Sequence, residues 1–259
     1  MTTTEDHRDV LREIDACVFD VFGTVVNWHS AVTREVPRHS KGLILEGSQD
    51  AIDFALEWRA GYYAHVARVA QGGEGTLNTD AMHREILDNM LTTPRWSRLA
   101  DVWGEADREE LTMIWHNLDA YKDTIPGLTE LKSHVNILAF SNGNFKLLLD
   151  LAKNKGLPWD GIFSSEMLGT YKPNKQAYQS ALYHLSLPPH KVAMVAAHTW
   201  DLLAAASAGL KTIYVPRPNE DSREVRENMR SKKDGGEVDL VVKDFQELAR
   251  LMGEARQSR

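Results

Sequence analysis

The 259-residue sequence predicts an α/β fold, a parallel sheet core interrupted by one all-helical insertion. Three observations carry that prediction. The apolar run Ala16-Cys17-Val18-Phe19 ends on Asp20 and is followed at once by Gly23-Thr24. A buried parallel strand delivers a charged side chain to its carboxyl end in this way. The stretch from about residue 29 to 124 shows helical spacing and no strand pattern. From Pro126 onward, apolar runs alternate with helical patterns, the rhythm of right-handed βαβ units.

Each element follows in order. Residues 15–20 form the first strand. Within the insertion, apolar residues recur at helical spacing over 50–70 (Ile52, Ala55, Leu56, Trp58, Tyr62, Tyr63, Val66, Val69), 80–91 and 107–121. Asn78 or Thr79 caps the second of these helices, with His83 and Glu85 in its first turns. The glycine-rich loop Gln71-Gly72-Gly73-Glu74-Gly75 separates it from the first. Strands are expected at 135–140, 192–197 and 212–215, with weaker patterns at 161–163 and 239–242. Helices are expected at 144–155, 174–185, 200–208 and 243–252. The polar run from Asn219 to Glu237 reads as a solvated helix and loop with an exposed face. Residues 1–28 and 125–259 thus form a Rossmann-like core, and 29–124 a helical subdomain.

Composition narrows the function. A hydrophobic content of 42% supplies material for a core, and a net charge of −7 lacks the basic face that nucleic acid requires. Cys17 is the only cysteine, which excludes an internal disulfide and a cysteine-based zinc cluster. Its place in the first strand reads as buried packing. Thr2 to Arg12 has no apolar signal core, and no run approaches the ~20 apolar residues of a membrane span. A reducing cytoplasm is the expectation.

Strand ends collect chemistry in sheets of this kind. After 135–140 come Ser141-Asn142-Gly143-Asn144, a hydroxyl and an amide at a helix start, which suits an anion or plain capping equally. Gly169-Thr170-Tyr171-Lys172-Pro173 places a lysine before a proline, which restricts its backbone. Val195-Ala196-Ala197-His198-Thr199-Trp200-Asp201 leads from a strand into a small-residue helix. There Asp201 could serve only the helix dipole, and His198 could be an ordinary satisfied histidine.

Taken in order, Asp20, Ser141, Lys172 and Asp201 resemble the four motifs of the haloacid dehalogenase (HAD) superfamily, and the insertion resembles its cap. Within it the chain is most similar to the L-2-haloacid dehalogenase (type II) branch, over about residues 14 to 217. The shared motifs are Asp20-Val21-Phe22-Gly23-Thr24, Ser141-Asn142-Gly143 and Tyr171-Lys172-Pro173, with Tyr178 six residues after the lysine. Trp58-Arg59 stands where that branch places its halide-binding arginine. Ala196, Ala197 and His198 replace the serines and asparagine of the branch's fourth motif, and Phe22 replaces a tyrosine. The spacing from Asp20 to Arg59 is also longer than in the branch.

The resemblance implies a hydrolytic dehalogenase that turns short 2-haloalkanoates into 2-hydroxyalkanoates through an aspartyl ester, without metal or cofactor. Asp20 would be the nucleophile, oriented by Thr24 and Lys172. Ser141 and the turn at Val21 and Phe22 would bind the substrate carboxylate, and Arg59 and Asn142 the halide. Asp201 and His198 would assist water. Phe22, Trp28 and Trp200 are candidate walls, and Tyr178 a further substrate contact. The partner is a small 2-haloacid, with neither nucleic acid nor membrane, and the resemblance implies a homodimer. Two alternatives remain at this point. A magnesium phosphatase of this fold needs a second acid at the position of Phe22 and another near Ala196-Ala197, and both are missing. An inactive scaffold would keep the fold without the site.

Overall fold

A computed structural model describes residues 9–257; most of the Thr2–Arg12 segment therefore lies outside the described residues. Strands β1 (Ala16–Phe19), β4 (Asn136–Ser141), β5 (Gly161–Ser164), β6 (Val192–Ala196), β7 (Lys211–Tyr214) and β8 (Leu240–Val241) make one six-stranded sheet in the order β5-β4-β1-β6-β7-β8. Every pairing is parallel. Phe19 lies between Ala139 of β4 and Val195 of β6. The chain first builds outward from β1 on one side (β4, β5) and then on the other (β6, β7, β8). The reversal leaves a crevice at the carboxyl ends of the three central strands, and Asp20 sits at its floor.

Side-chain alternation along β1 sorts the two faces of the sheet. Cys17 and Phe19 join one apolar cluster with Leu147, Phe245 and Met252, whereas Ala16 and Val18 join another with Phe140, Met194 and Leu202. Burial pushes the Cys17 thiol up to about 12, so it is inert packing, as the sequence suggests.

The insertion leaves and re-enters the core through a short antiparallel ribbon, β2 (Val26–Asn27) with β3 (Asp119–Ala120). Between them lie α1 (Trp28–His39), α2 (Gln49–Ala70), α3 (Thr79–Leu91), α4 (Ser97–Ala100) and α5 (Glu105–Met113). Asn78 caps α3, accepting from the Ala81 amide. Two details depart from the sequence expectation. The helical pattern over 107–121 breaks after Met113 into a 3-10 turn, Ile114–Asn117, and then β3. Pairing with β2 and the Tyr121 amide bond to the Val25 carbonyl override local periodicity there. Helix α1 is an addition; its signal was present in the Asn27 cap and in Trp28, Ala31, Val32 and Val36 on one face.

Core helices α6 (Thr124–Leu131), α7 (Phe145–Lys155), α8 (Ser165–Leu168), α9 (Lys175–Leu185), α10 (Thr199–Ser207), α11 (Arg223–Asn228) and α12 (Phe245–Gln257) complete the fold. No helix among the described residues is long and apolar enough to cross a membrane.

Candidate active site

Asp20 is the hub. Its turn is set by Gly23, whose φ of +87° suits glycine, and by the Val25 and Val26 amides donating to the Val21 carbonyl. That turn brings Thr24 back so that its hydroxyl donates to Asp20 Oδ2 at 2.7 Å and accepts from the Ala197 amide at 2.9 Å. Lys172 Nζ donates to Asp20 Oδ1 at 3.0 Å and to Asp201 Oδ2 at 2.5 Å. His198 Nδ1 lies 3.0 Å from Asp20 Oδ2.

Asp20, its three partners and Asp201 are all buried, and burial sets the electrostatics. Burial alone pushes the Asp20 carboxyl up, but the Lys172 ammonium, His198 and the Thr24 hydroxyl outweigh it. They hold the group well below the usual carboxylate range, so Asp20 stands ionised. For Asp201 burial wins, aided by the charge of Asp20, and its pKa lies above the ordinary value despite Lys172. Burial pulls Lys172 down, yet two carboxylates raise it overall.

A residue absent from the sequence reading completes the site. Glu220 enters from the run expected to be bland and exposed, and its side chain is only 2% exposed. Its Oε2 lies 2.8 Å from His198 Nε2, and its Oε1 accepts from Trp28 Nε1 at 2.8 Å. Asp221 beside it accepts from the Thr199 amide and caps α10. The remainder of the run is largely exposed, as expected. Both imidazole nitrogens of His198 therefore face carboxylates. Burial lowers its pKa, but the bonds to Asp20 and Glu220 prevail and hold it well above the ordinary histidine value. The ring is an imidazolium in the resting site. No local pattern announces Glu220; it follows a loop, with Asn219 in a left-handed conformation.

Arg59 reaches the site from α2. Its Nη2 donates to the Phe22 carbonyl at 3.5 Å and to Tyr63 Oη at 3.1 Å, while Nε and Nη1 are buried without a hydrogen-bond partner. The longer spacing from Asp20 is thus absorbed by the fold. The guanidinium lies over Trp28, Tyr62 and Tyr63.

The other sequence candidates lie around these groups. Asn142 is occupied in holding Lys172: its Oδ1 accepts from the Lys172 amide at 2.8 Å, and its Nδ2 donates to the Lys172 carbonyl at 3.1 Å. Tyr178, expected as a substrate contact, is buried, and its hydroxyl donates to Asp201 Oδ1 at 2.6 Å. Both amide and phenol position the charged groups. Ser141 ends β4, its hydroxyl accepting from the Gly143 amide at 3.2 Å. Val21 is buried through its side chain, and the Phe22 ring meets Trp115 edge-on. Trp200 is partly exposed, tilted against His198 with ring centroids 5.7 Å apart. The insertion is seated on this site by α3: the Thr79 hydroxyl donates to the Asn142 carbonyl and accepts from the Asn144 amide.

This constellation can present one ionised carboxylate to an electrophile beneath a cationic, aromatic-walled lid. Residues 14–209 match the profile of a family described as haloacid dehalogenase-like hydrolases. The chain is similar to (S)-2-haloacid dehalogenase 4A of Burkholderia cepacia, 31% identical over 206 residues that cover 78% of this chain and 83% of that one. Among solved structures it is similar to an L-2-haloacid dehalogenase, with a TM-score of 0.80, 32% identity and coverage of 93% and 99% of the two chains. A defluorinating L-2-haloacid dehalogenase aligns with a TM-score of 0.78, 35% identity and coverage of 93% and 95%. With its ordered motifs, its sheet and most of its length matched, the chain belongs to the haloacid dehalogenase-like hydrolase family.

Proposed function

We propose that this hydrolase removes halide from short 2-haloalkanoates, giving 2-hydroxyalkanoates through an ester on Asp20. The observation that carries the reading is the pairing of an ionised Asp20, held by Lys172, Thr24 and His198, with the unpartnered N–H groups of Arg59 above it. A carboxylate whose charge is held by side chains suits attack on carbon. An oxygen of Asp20 forms a bond to C2, the carbon–halogen bond breaks, and halide departs with the electron pair toward Arg59. Ser141 and the turn amides after Asp20 take the substrate carboxylate. Donors placed where negative charge develops lower the barrier.

Water then adds to the ester carbonyl carbon, and the hydroxyacid leaves with the former Asp20 oxygen. Esterification removes the Asp20 charge, so His198 keeps one of its two carboxylates, Glu220. Its pKa falls, it can release its proton to solvent, and the neutral ring can take a proton from water. Lys172, Asp201 and Tyr178 hold the ester carbonyl's surroundings fixed. Segment 29–124 serves as the cap that excludes bulk water. The reading needs no metal, since neither Phe22 nor Ala196-Ala197 supplies the acid and metal ligand that phosphoryl transfer requires. A homodimer in the cytoplasm is part of the same proposal.

Halide release from fluoro-, chloro- and bromoacetate and both 2-chloropropionate enantiomers, with and without EDTA, tests it. Release unaffected by chelator is expected. A strict requirement for Mg²⁺, or phosphate-ester hydrolysis in place of halide release, would overturn the reading.

A further inference from the structure

Four of the buried side-chain polar atoms that lack a hydrogen-bond partner belong to one group of rings: Arg59 Nε and Nη1, His83 Nδ1 and Trp115 Nε1. The group closes on itself. The Arg59 guanidinium lies 5.0 Å from the Trp28 ring, Trp28 stacks on Trp115 at 6.3 Å, and Trp115 on His83 at 3.9 Å. His83 then stacks on Tyr62 at 5.7 Å, and Tyr62 lies 4.5 Å from Arg59. Phe22, two residues from the nucleophile, touches this circle through the Trp115 ring and through its carbonyl on Arg59.

Buried polar groups are nearly always satisfied, so a cluster of orphans asks for a missing partner. The arginine and indole atoms can only donate. The partner must therefore accept. Beside a guanidinium, walled by aromatic rings, that acceptor is a small anion. His83 contributes as a neutral ring, because burial and the Arg59 charge hold it well below its ordinary value. An anion would select the tautomer carrying hydrogen on Nδ1.

We infer that His83 and Trp115 are halide-binding residues of this enzyme, donating from Nδ1 and Nε1 to the departing halide alongside Arg59. The inference rests on the dehalogenase reading and extends its leaving-group site by two donors on the insertion. Neither residue was assigned a role by the sequence, where His83 figured only as a first-turn residue of its helix. Trp115 sits in the 3-10 turn that breaks the expected helix, which is what carries its indole to the ring cluster.

Two substitutions separate donation from packing. His83→Asn keeps a donor close to the Nδ1 position and loses the stack; His83→Phe keeps the stack and loses the donor. Chloride binding, followed by ³⁵Cl line broadening, should be saturable in the wild type, weakened about tenfold or more in His83→Phe, and largely retained in His83→Asn. In ¹⁵N-tryptophan protein, the indole signal that disappears in Trp115→Phe should move and saturate with sodium chloride but not with sodium acetate. This second measurement uses the wild-type fold. A Trp115 signal indifferent to chloride, an unchanged affinity in His83→Phe, or a response to acetate in place of chloride would overturn the inference, while haloacid turnover would leave the dehalogenase reading standing. The reverse pattern, chloride bound through His83 and Trp115 with no haloacid turned over, would support the donor set and sink the dehalogenase reading.

Discussion

Glu220 and His198 form a buried pair, Oε2 to Nε2 at 2.8 Å, that turns the other imidazole nitrogen toward Asp20. The glutamate orients the ring and stabilises its charged form, and it does so from a loop 22 residues beyond His198, which stands between β6 and α10. Its second oxygen accepts from Trp28, so the same carboxylate braces the ring proposed to activate water and the Trp28 indole beside Arg59.

His198→Ala should therefore release a burst of about one halide per site and then stall at the aspartyl ester, since general-base assistance contributes on the order of 10²–10⁴-fold. Intact-protein mass spectrometry should show the added acyl group. Steady turnover with an unchanged pH profile would contradict the role given to the ring.

Glu220→Gln keeps a hydrogen bond but removes one of the two carboxylates that raise the His198 pKa. The pH at which ester hydrolysis becomes active should move down, and the rate on the plateau should fall by roughly 10²-fold as ring orientation is lost. A pH–rate profile of the single-turnover hydrolysis phase reads both. Superimposable profiles would count against the pair.

Gly23→Ala should cost about 1–2 kcal/mol from its left-handed backbone alone. An added Cβ would also stand 2.3 Å from the carboxyl carbon of Glu220, so the Glu220 carboxylate must shift from its place against His198 and Trp28. Urea unfolding and the hydrolysis phase should both suffer. A variant with wild-type stability and hydrolysis would show that the close approach is dispensable.

His116 joins the insertion to the core, bonded to Asp80 of α3 at 2.9 Å and to Asp150 of α7 at 2.8 Å. Burial lowers its pKa, but the two carboxylates raise it overall. Its contribution to stability is thus complete below about pH 6.5, the ordinary histidine value, and fades as pH rises through the raised one. The Tm difference between wild type and His116→Asn should shrink from pH 6 toward pH 9. A constant difference would show that the ring's charge does not matter.

Much of this was legible in the chain. The run into Asp20 reads as a central strand because β4 and β6 cover both its edges and helices cover both faces, leaving no polar alternation. Thr24, His198 and Asp201 each follow a strand pattern closely, so local order places them, whereas Lys172 lies beyond a short helix and is legible through its Tyr171-Lys172-Pro173 motif. Glu220 was not legible, because its position depends on a loop folding back over Gly23 and on a partner 22 residues away. Asn142 and Tyr178 were visible as residues but not as positioning groups, since only the fold shows their polar atoms spent on Lys172 and Asp201. The end of the helix pattern at Met113 was hidden for a similar reason: β3 is set by its pairing with β2, a contact that periodicity does not carry.

Asp20→Asn leaves a nearly isosteric side chain that cannot act as the nucleophile, and turnover should fall by at least about 10⁴-fold with the fold intact. Circular dichroism and halide release together check this. Residual turnover within tenfold of wild type would remove Asp20 from the chemistry.

The ester on Asp20 is the central claim, and single-turnover hydrolysis in ¹⁸O-water with enzyme in excess tests it most directly. Water attacking the ester carbonyl carbon places the label in the Asp20 carboxylate, where mass spectrometry of the peptide spanning Ala16–Thr24 should find it, with little in the hydroxyacid. Label appearing in the hydroxyacid, with an unlabelled Asp20 peptide, would mean that water attacks C2 itself and would contradict the account.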